Sequence, residues 1–179
     1  YMKEKMLMGH SIVGKAALHR IGGYTVRPGV YMVNGAYPLE NGVNFTISTH
    51  MGTSCELLLF KRREEEPFAI LPFPETYRIG DTYSMFVYNL NIEDFEYAYR
   101  IDGPLDVKKG LLFDKTKLLL DPYAQAVTGQ QVWGTQQTGA YRARVVVDTF
   151  AWDDANLSKR ELSDLVIYDL HGRGLTMDP

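Results

Sequence analysis

The stretch "GVNFTISTH", Gly42 to His50, alternates Val43, Phe45, Ile47 and Thr49 with Asn44, Thr46, Ser48 and His50. A period of two sends one set toward a core and the other toward water, the pattern of a half-buried strand. Its surroundings repeat the theme. "CELLLF" (Cys55–Phe60) follows a Gly-Thr-Ser turn and is too short for an ordinary helix. "PFAILPF" (Pro67–Phe73) is bounded by prolines, which confine it to a sheet edge or strand end. "TYSMFVYNL" (Thr82–Leu90) and "FEYAYRI" (Phe95–Ile101) are separated by "NIED", and "DGP" at Asp102–Pro104 is a turn. "RARVVVDT" (Arg142–Thr149) supplies another strand after a long connection. Short strands at this spacing, with little helix between them, predict an all-β, two-sheet sandwich. Phe45, Ile47, Leu57 and Leu59 would share its core.

The remaining segments frame that sandwich. "DPYAQAV" (Asp121–Val127) reads as a single helical turn capped by Asp121, with Pro122 at the first helical position. "TGQQVWGTQQTGAY" (Thr128–Tyr141) is polar and rich in Gly and Gln, as in an irregular surface loop. Residues 1–34 read as a leader, 35–152 as the sandwich and 153–163 as a charged connector. Beyond it, "LVIYDL" (Leu165–Leu170) is apolar, β-branched and bounded by turn residues, as expected of a parallel-sheet strand buried on both faces. Residues 164–179 thus read as the start of a second domain whose remaining strands are missing.

With 179 residues, 45% of them hydrophobic, the chain suits one domain, or one domain plus a fragment of another. A net charge of -3 gives no basic surface for nucleic acid and no polybasic patch for anionic lipid. The mixed-sign run "KRREEEP" (Lys61–Pro67) reads as a solvated hairpin loop. Cys55 is the only cysteine, which excludes an intrachain disulfide and a cysteine zinc site. No signal peptide is apparent, and nothing approaches the about 20 apolar residues of a membrane span. The expected location is the cytoplasm, where the sequon matches at Asn44 and Asn156 carry no meaning.

No complete active site emerges. "GHSIVGKA" (Gly9–Ala16) nearly matches a phosphate-binding loop, but Ala16 replaces the magnesium-holding hydroxyl residue and no convincing strand precedes it. His10, His19, His50 and His171 are scattered, so neither a metal nor any other cofactor is expected. A G-x-S-x-G elbow is lacking. The aromatic residues cluster at Tyr83–Tyr88, Phe95–Tyr99 and Trp133–Tyr141. They fit a sandwich core; alternatively an exposed ring, Tyr83 or Trp133, stacks on the apolar face of a sugar.

Several segments together resemble the N-terminal region of bacterial glycogen debranching enzymes, the isoamylase-like members of glycoside hydrolase family 13. The likeness runs from about Gly35 to Thr176 through "GVNFTI", "CELLLF", "YAYRIDGP", "KGLLFDKTKLLLDPYAQAV", "RVVVD" and "DLVIYDLHGRGLT". "KLLLDPYA" followed by the terminal "VIY-x-LH-x-RG-x-T" pattern is its most specific part. The resemblance implies an immunoglobulin-like sandwich of carbohydrate-binding module family 48, then the first strand of a (β/α)8 barrel at Leu165–Leu170. Such a barrel takes about 250 residues, and only sixteen follow Ser163. By this reading the barrel is truncated.

The implied chemistry is retaining hydrolysis of an α-1,6-glucosidic branch point between two carboxyl groups about 5–5.5 Å apart. Those groups belong to later barrel strands, so no catalytic residue is assigned to this chain. His171 and Arg173 would support the active-site face of a complete barrel, and Asp169 stands where the family often has Glu. The implied partners are an α-glucan (glycogen or limit dextrin) and the missing barrel. In "GDTYSMF", Tyr83 replaces the Trp that relatives often carry, which weakens a stacking role. The rivals are a free-standing glycogen-binding targeting module, which leaves the terminal segment unexplained, and an adhesion-type immunoglobulin-like domain, which explains the strands alone.

Overall fold

Two strands, β4 (Gly42–Ser48) and β8 (Thr82–Tyr88), pair antiparallel along their whole lengths, from Gly42 opposite Tyr88 to Ser48 opposite Thr82. Opposite residues share a face, so Val43, Phe45 and Ile47 lie beside Val87, Met85 and Tyr83 on the inner side. This is the spine of the first sheet in a computed structural model that describes residues 18–129, 141–147, 161–172 and 174. The chain divides into two units, Tyr1–Val147 and Asp148–Pro179.

The first unit is a sandwich. Its first sheet runs β1 (His19–Ile21), β2 (Tyr24–Pro28), β8, β4, β3 (Gly35–Leu39), with β7 (Arg78–Ile79) also paired to β8. The second runs β12 (Ala126–Thr128), β13 (Arg142–Arg144), β9 (Glu96–Asp102), β5 (Ser54–Phe60), β6 (Pro67–Pro72). A hairpin of β10 (Leu105–Asp106) and β11 (Leu111–Leu112) stands apart. Between the sheets lies one buried cluster that includes Phe45, Ile47, Leu57 and Leu59 as expected. Phe45 and Tyr97 meet across it edge to face, their ring centroids 5.3 Å apart. The proline-bounded segment is indeed an edge strand, β6.

The sandwich starts earlier than expected. Residues 19–28, assigned to a leader by the sequence reading, form β1 and β2, and β2 pairs with β8 through Val26–Val87, Arg27–Phe86 and Pro28–Met85. A Gly22–Gly23 turn with φ of 56° and 89° joins them. Positive φ at both central residues is what a tight hairpin of this twist demands.

The polar set of "GVNFTISTH" also departs from expectation, because Asn44 and Thr46 are buried. The chain after β2 crosses this face, and its backbone takes up their hydrogen bonds. The Val30 amide donates to Asn44 Oδ1 at 2.7 Å, and the Asn44 amide and Thr46 hydroxyl donate to the Val30 carbonyl. Thr46 Oγ1 also lies 2.7 Å from Ser84 Oγ. Buried polar groups are tolerated when satisfied in this way. Gly29 is required at the crossing, since a Cβ there would come within 2.3 Å of Ser84 Oγ and 2.8 Å of the Met85 backbone nitrogen.

The "KLLLDPYA" segment closes the other sheet. Leu119 and Tyr99 exchange two backbone hydrogen bonds of 2.8 and 2.9 Å, which lays the segment along β9. Asp121, 1% exposed, then accepts from the Tyr97 hydroxyl at 2.7 Å and from the Tyr123 amide at 2.8 Å. The helical turn expected over Asp121–Val127 is not formed: the Ala124 amide closes a single tight turn on the Asp121 carbonyl, and Ala126–Thr128 is already strand β12.

In the second unit, Leu162–Asp164 is a short 3-10 turn and Leu165 has extended backbone. Leu165–Leu170 carries exposed apolar side chains and belongs to no strand among the described residues. No helix among the described residues is long and apolar enough to cross a membrane.

Two consequences are measurable. Asp121 titrates above the ordinary carboxyl range because burial penalises its charge, an effect that the Tyr123 and Tyr97 hydrogen bonds only partly offset. Between the ordinary and the raised value the folded state binds the extra proton, so this contribution is complete below the ordinary value and is lost as pH rises through the raised one. Asp121→Asn should therefore lose stability relative to wild type as pH falls from about 7 toward about 4, and parallel urea-denaturation curves across that range would refute the assignment. Asp121→Ala should cost about 1–3 kcal/mol at neutral pH by leaving the Tyr97 hydroxyl unpaired. Gly29→Ala should cost about 1–3 kcal/mol through overpacking, read as a lower denaturation midpoint at unchanged slope.

Candidate functional site

Of the four residues singled out by sequence, Trp133 and Arg173 lie outside the described residues. Tyr83 does not offer a platform. Strand alternation sets it on the inner face with Met85 and Val87, and it is 0% exposed. Its ring meets Phe73 edge-on at 5.9 Å, and its hydroxyl accepts from Arg78 Nη1 at 3.2 Å. The ring is part of the core. His171 belongs to the second unit, is exposed, and accepts the Gly174 amide on Nδ1 at 3.2 Å.

An open cleft of about 630 Å³ lies elsewhere on the sandwich, lined by Tyr24, Lys61, Arg62, Phe68, Glu93 and Asp94. Three pieces of chain build it: the start of β2, the β5–β6 turn running into β6, and the β8–β9 turn. In the β5–β6 turn the Glu64 amide closes on the Lys61 carbonyl, and Arg63 adopts φ of 66°. The β8–β9 turn is held by Asn91, whose side chain accepts the Glu93 amide and donates to Asp94 Oδ2 at 2.9 Å. The two turns are tied by Arg62, whose Nη2 donates to Glu93 Oε2 at 2.7 Å. Arg144 of β13 reaches the same oxygen at 3.5 Å. Phe68, on the outward face of β6, is 41% exposed.

The cleft sets an exposed aromatic ring beside charged groups held by hydrogen bonds. Aromatic faces take the apolar C–H side of a sugar ring, and fixed charged forks take its hydroxyls. Bond cleavage by a retaining glycosidase needs two carboxyl groups flanking the bond. Here the two acids are sequence neighbours on one turn, with Glu93 bound to guanidinium groups and Asp94 to an amide. Among the described residues no group of His, Cys, Asp or Glu is arranged to hold a metal ion.

The sequence reading located both turns and missed their meeting. Arg62 and Glu93 are 31 residues apart, and no local pattern announces a contact of that range. The readable signal was Phe68, an aromatic residue on the solvent-facing register of an edge strand beside a charged turn.

Two packed antiparallel sheets with an open aromatic and charged cleft on them define the class as a β-sandwich module. The chain belongs to the carbohydrate-binding module 48 family (isoamylase N-terminal domain), whose family model matches residues 33–124, just over half of it. The glycogen debranching enzyme of Serratia proteamaculans (strain 568) is 31% identical over 163 residues, which cover 84% of this chain and 24% of that protein. Isoamylase 3, chloroplastic, of Oryza sativa subsp. japonica is 30% identical over 171 residues, covering 86% and 22%. The chain thus spans about a quarter or less of the curated relatives it matches. Apo pullulanase from Paenibacillus barengoltzii shares the fold, with a TM-score of 0.58 and 21% identity over 83% of this chain and 20% of that one.

If Tyr83 is a core residue, Tyr83→Ala should cost about 3–5 kcal/mol, as for other large buried aromatics. Chemical denaturation would measure this. A change near zero would return Tyr83 to the surface.

Proposed function

We propose that this chain is the N-terminal accessory domain of a hydrolase that cleaves α-1,6-glucosidic branch points in cytoplasmic glycogen metabolism. The observation that carries the reading is the reach of the similarity. The Serratia proteamaculans debranching enzyme matches 84% of the chain, well beyond the residues 33–124 that define the module. A free-standing targeting module gives no reason for that excess. In this reading Leu165–Leu170 is the first strand of a (β/α)8 barrel, and its exposed apolar side chains on both faces are those that neighbouring strands and helices would cover. His171 and Arg173 would then stand at the active-site face, and the catalytic carboxyl groups would lie on later strands.

The sandwich has two roles here: it supports the barrel, and it binds α-glucan in the Tyr24–Phe68 cleft. The second role is supported by membership of a carbohydrate-binding module family. A mutant of the Paenibacillus barengoltzii pullulanase was crystallised with maltotriose, and that protein shares the fold with a TM-score of 0.58. Tyr24 and Phe68 would stack on glucose units while Arg62, Glu93 and Asp94 take their hydroxyl groups.

Titration calorimetry of the chain with glycogen and a maltooligosaccharide tests the binding role. Saturable binding should weaken about tenfold or more in Tyr24→Ala and Phe68→Ala, the loss of roughly 1.4 kcal/mol or more. Trp133→Ala serves as the comparison. No binding at millimolar sugar would remove the glucan role and leave the sandwich as support. The chain alone should release no reducing ends from glycogen, and hydrolysis abolished by a point substitution within it would overturn the assignment.

A further inference from the structure

Glu93 joins the cleft to a strand that does not line it. Two guanidinium groups converge on one oxygen of its carboxylate: Arg62 Nη2 at 2.7 Å, from the β5–β6 turn, and Arg144 Nη2 at 3.5 Å, from β13. The other oxygen, Oε1, has no partner among the described residues. The carboxylate is thus oriented through one oxygen and left open at the other. Its backbone is fixed as well, since the Asn91 side chain accepts the Glu93 amide.

Arg144 depends on that contact. Its Nε is buried without a hydrogen-bond partner, and Glu93 is its only ion-pair partner among the described residues. A guanidinium drawn partly out of water needs a compensating acceptor. The strand that carries it is lightly laddered into the second sheet. β13 pairs with the outermost strand β12 at three positions, and with β9 only through Ala143 and Tyr97. Arg142 stacked on Phe60 and the buried Ala143 and Val145 anchor its ends and middle, and the Glu93–Arg144 pair ties it to the β8–β9 turn. Three residues beyond β13, at Val147, the first unit ends.

We propose that Glu93 couples occupancy of the cleft to the hold on β13. The proposal rests on the glucan-binding reading above and names the regulation of that same site. A hydroxyl of a neutral maltooligosaccharide donates to Oε1, the oxygen that neither arginine uses. The carboxylate, then bonded at both oxygens, stays where Oε2 meets Arg62 and Arg144, and β13 opens less often. Coupling between two sites is reciprocal, so Arg144 must favour sugar binding as much as sugar favours the Glu93–Arg144 pair. Arg144 is not among the residues lining the cleft; it is a positioning residue for sugar recognition. The state of the cleft is thereby registered at the strand from which the chain leaves the sandwich.

Titration calorimetry with maltohexaose and hydrogen exchange read by mass spectrometry, both on the 179-residue chain, test this. Arg144→Gln should weaken binding about fivefold or more, and Arg144→Lys should recover part of the loss. Glu93→Gln combined with Arg144→Gln should bind no worse than Glu93→Gln alone, as expected of residues acting through one contact. Saturating maltohexaose should slow amide exchange at residues 142–147 about fivefold in wild type and leave it unchanged in Glu93→Gln. Without sugar, Glu93→Gln should speed exchange at the same residues. Lys108→Gln, which removes one charge from the turn of the β10–β11 hairpin, should alter neither readout; an equal loss there would reduce the effect to net charge and overturn the proposal. Wild-type affinity in Arg144→Gln, or additive losses in the double variant, would overturn the coupling and leave the glucan reading standing. No maltohexaose binding by wild type would overturn both.

Discussion

A carboxyl group in the dark side of a β-sandwich organises much of this structure. Asp121 uses one oxygen on the Tyr97 hydroxyl and the other on the Tyr123 amide. It thereby fixes a turn and pins that turn to the middle of the second sheet. Because Leu119 is bonded to Tyr99 two residues earlier, the whole "KLLLDPYA" segment acts as an added strand and clasp. Gly35, at the start of β3 with φ of 86°, fits beneath Tyr123, where a Cβ would meet Tyr123 Cβ at 2.9 Å. The clasp therefore touches both sheets. Burying the acid has a cost, visible as a raised affinity for its proton, and the fold accepts that cost to hold the turn against β9.

The sandwich was legible in the sequence because its strands obey a local rule. Alternation at Val43, Phe45 and Ile47 decides which face is inward, and the prolines around "FAIL" announce an edge. Where the reading failed, either a long-range contact or an unread turn was responsible. Asn44 and Thr46 look solvent-facing by period and are buried because Gly29 and Val30 cross over them. The strands within the supposed leader had a signal that went unused: "RIGGYTV" places two glycines between β-prone residues, the mark of a tight hairpin. Tyr83 illustrates the opposite error. Its residue type suits sugar stacking, but its register, two residues from Met85 on the inner face, had already placed it in the core.

The cleft was the least legible part, since it exists only where two turns and the start of β2 converge. Charge runs such as "KRREEEP" are ordinarily solvated, and this one is solvated too, except that Arg62 finds Glu93 across 31 residues. Function here separates along the chain. In the proposed reading recognition belongs to the sandwich, and the chemistry belongs to a domain for which Leu165–Leu170 would supply one strand.

The edge of the second sheet has a further consequence. β6 begins at Pro67 and ends at Pro72, so the residue at each of its ends has no backbone N–H to donate. An incoming strand from another molecule would find only a short run of complete hydrogen bonds between them, beside side chains as adhesive as Phe68 and Ile70. The prolines let this edge keep an apolar surface without making it a template for fibrous self-assembly. In the proposed glucan-binding role, that would separate stickiness toward a carbohydrate from stickiness toward its own kind.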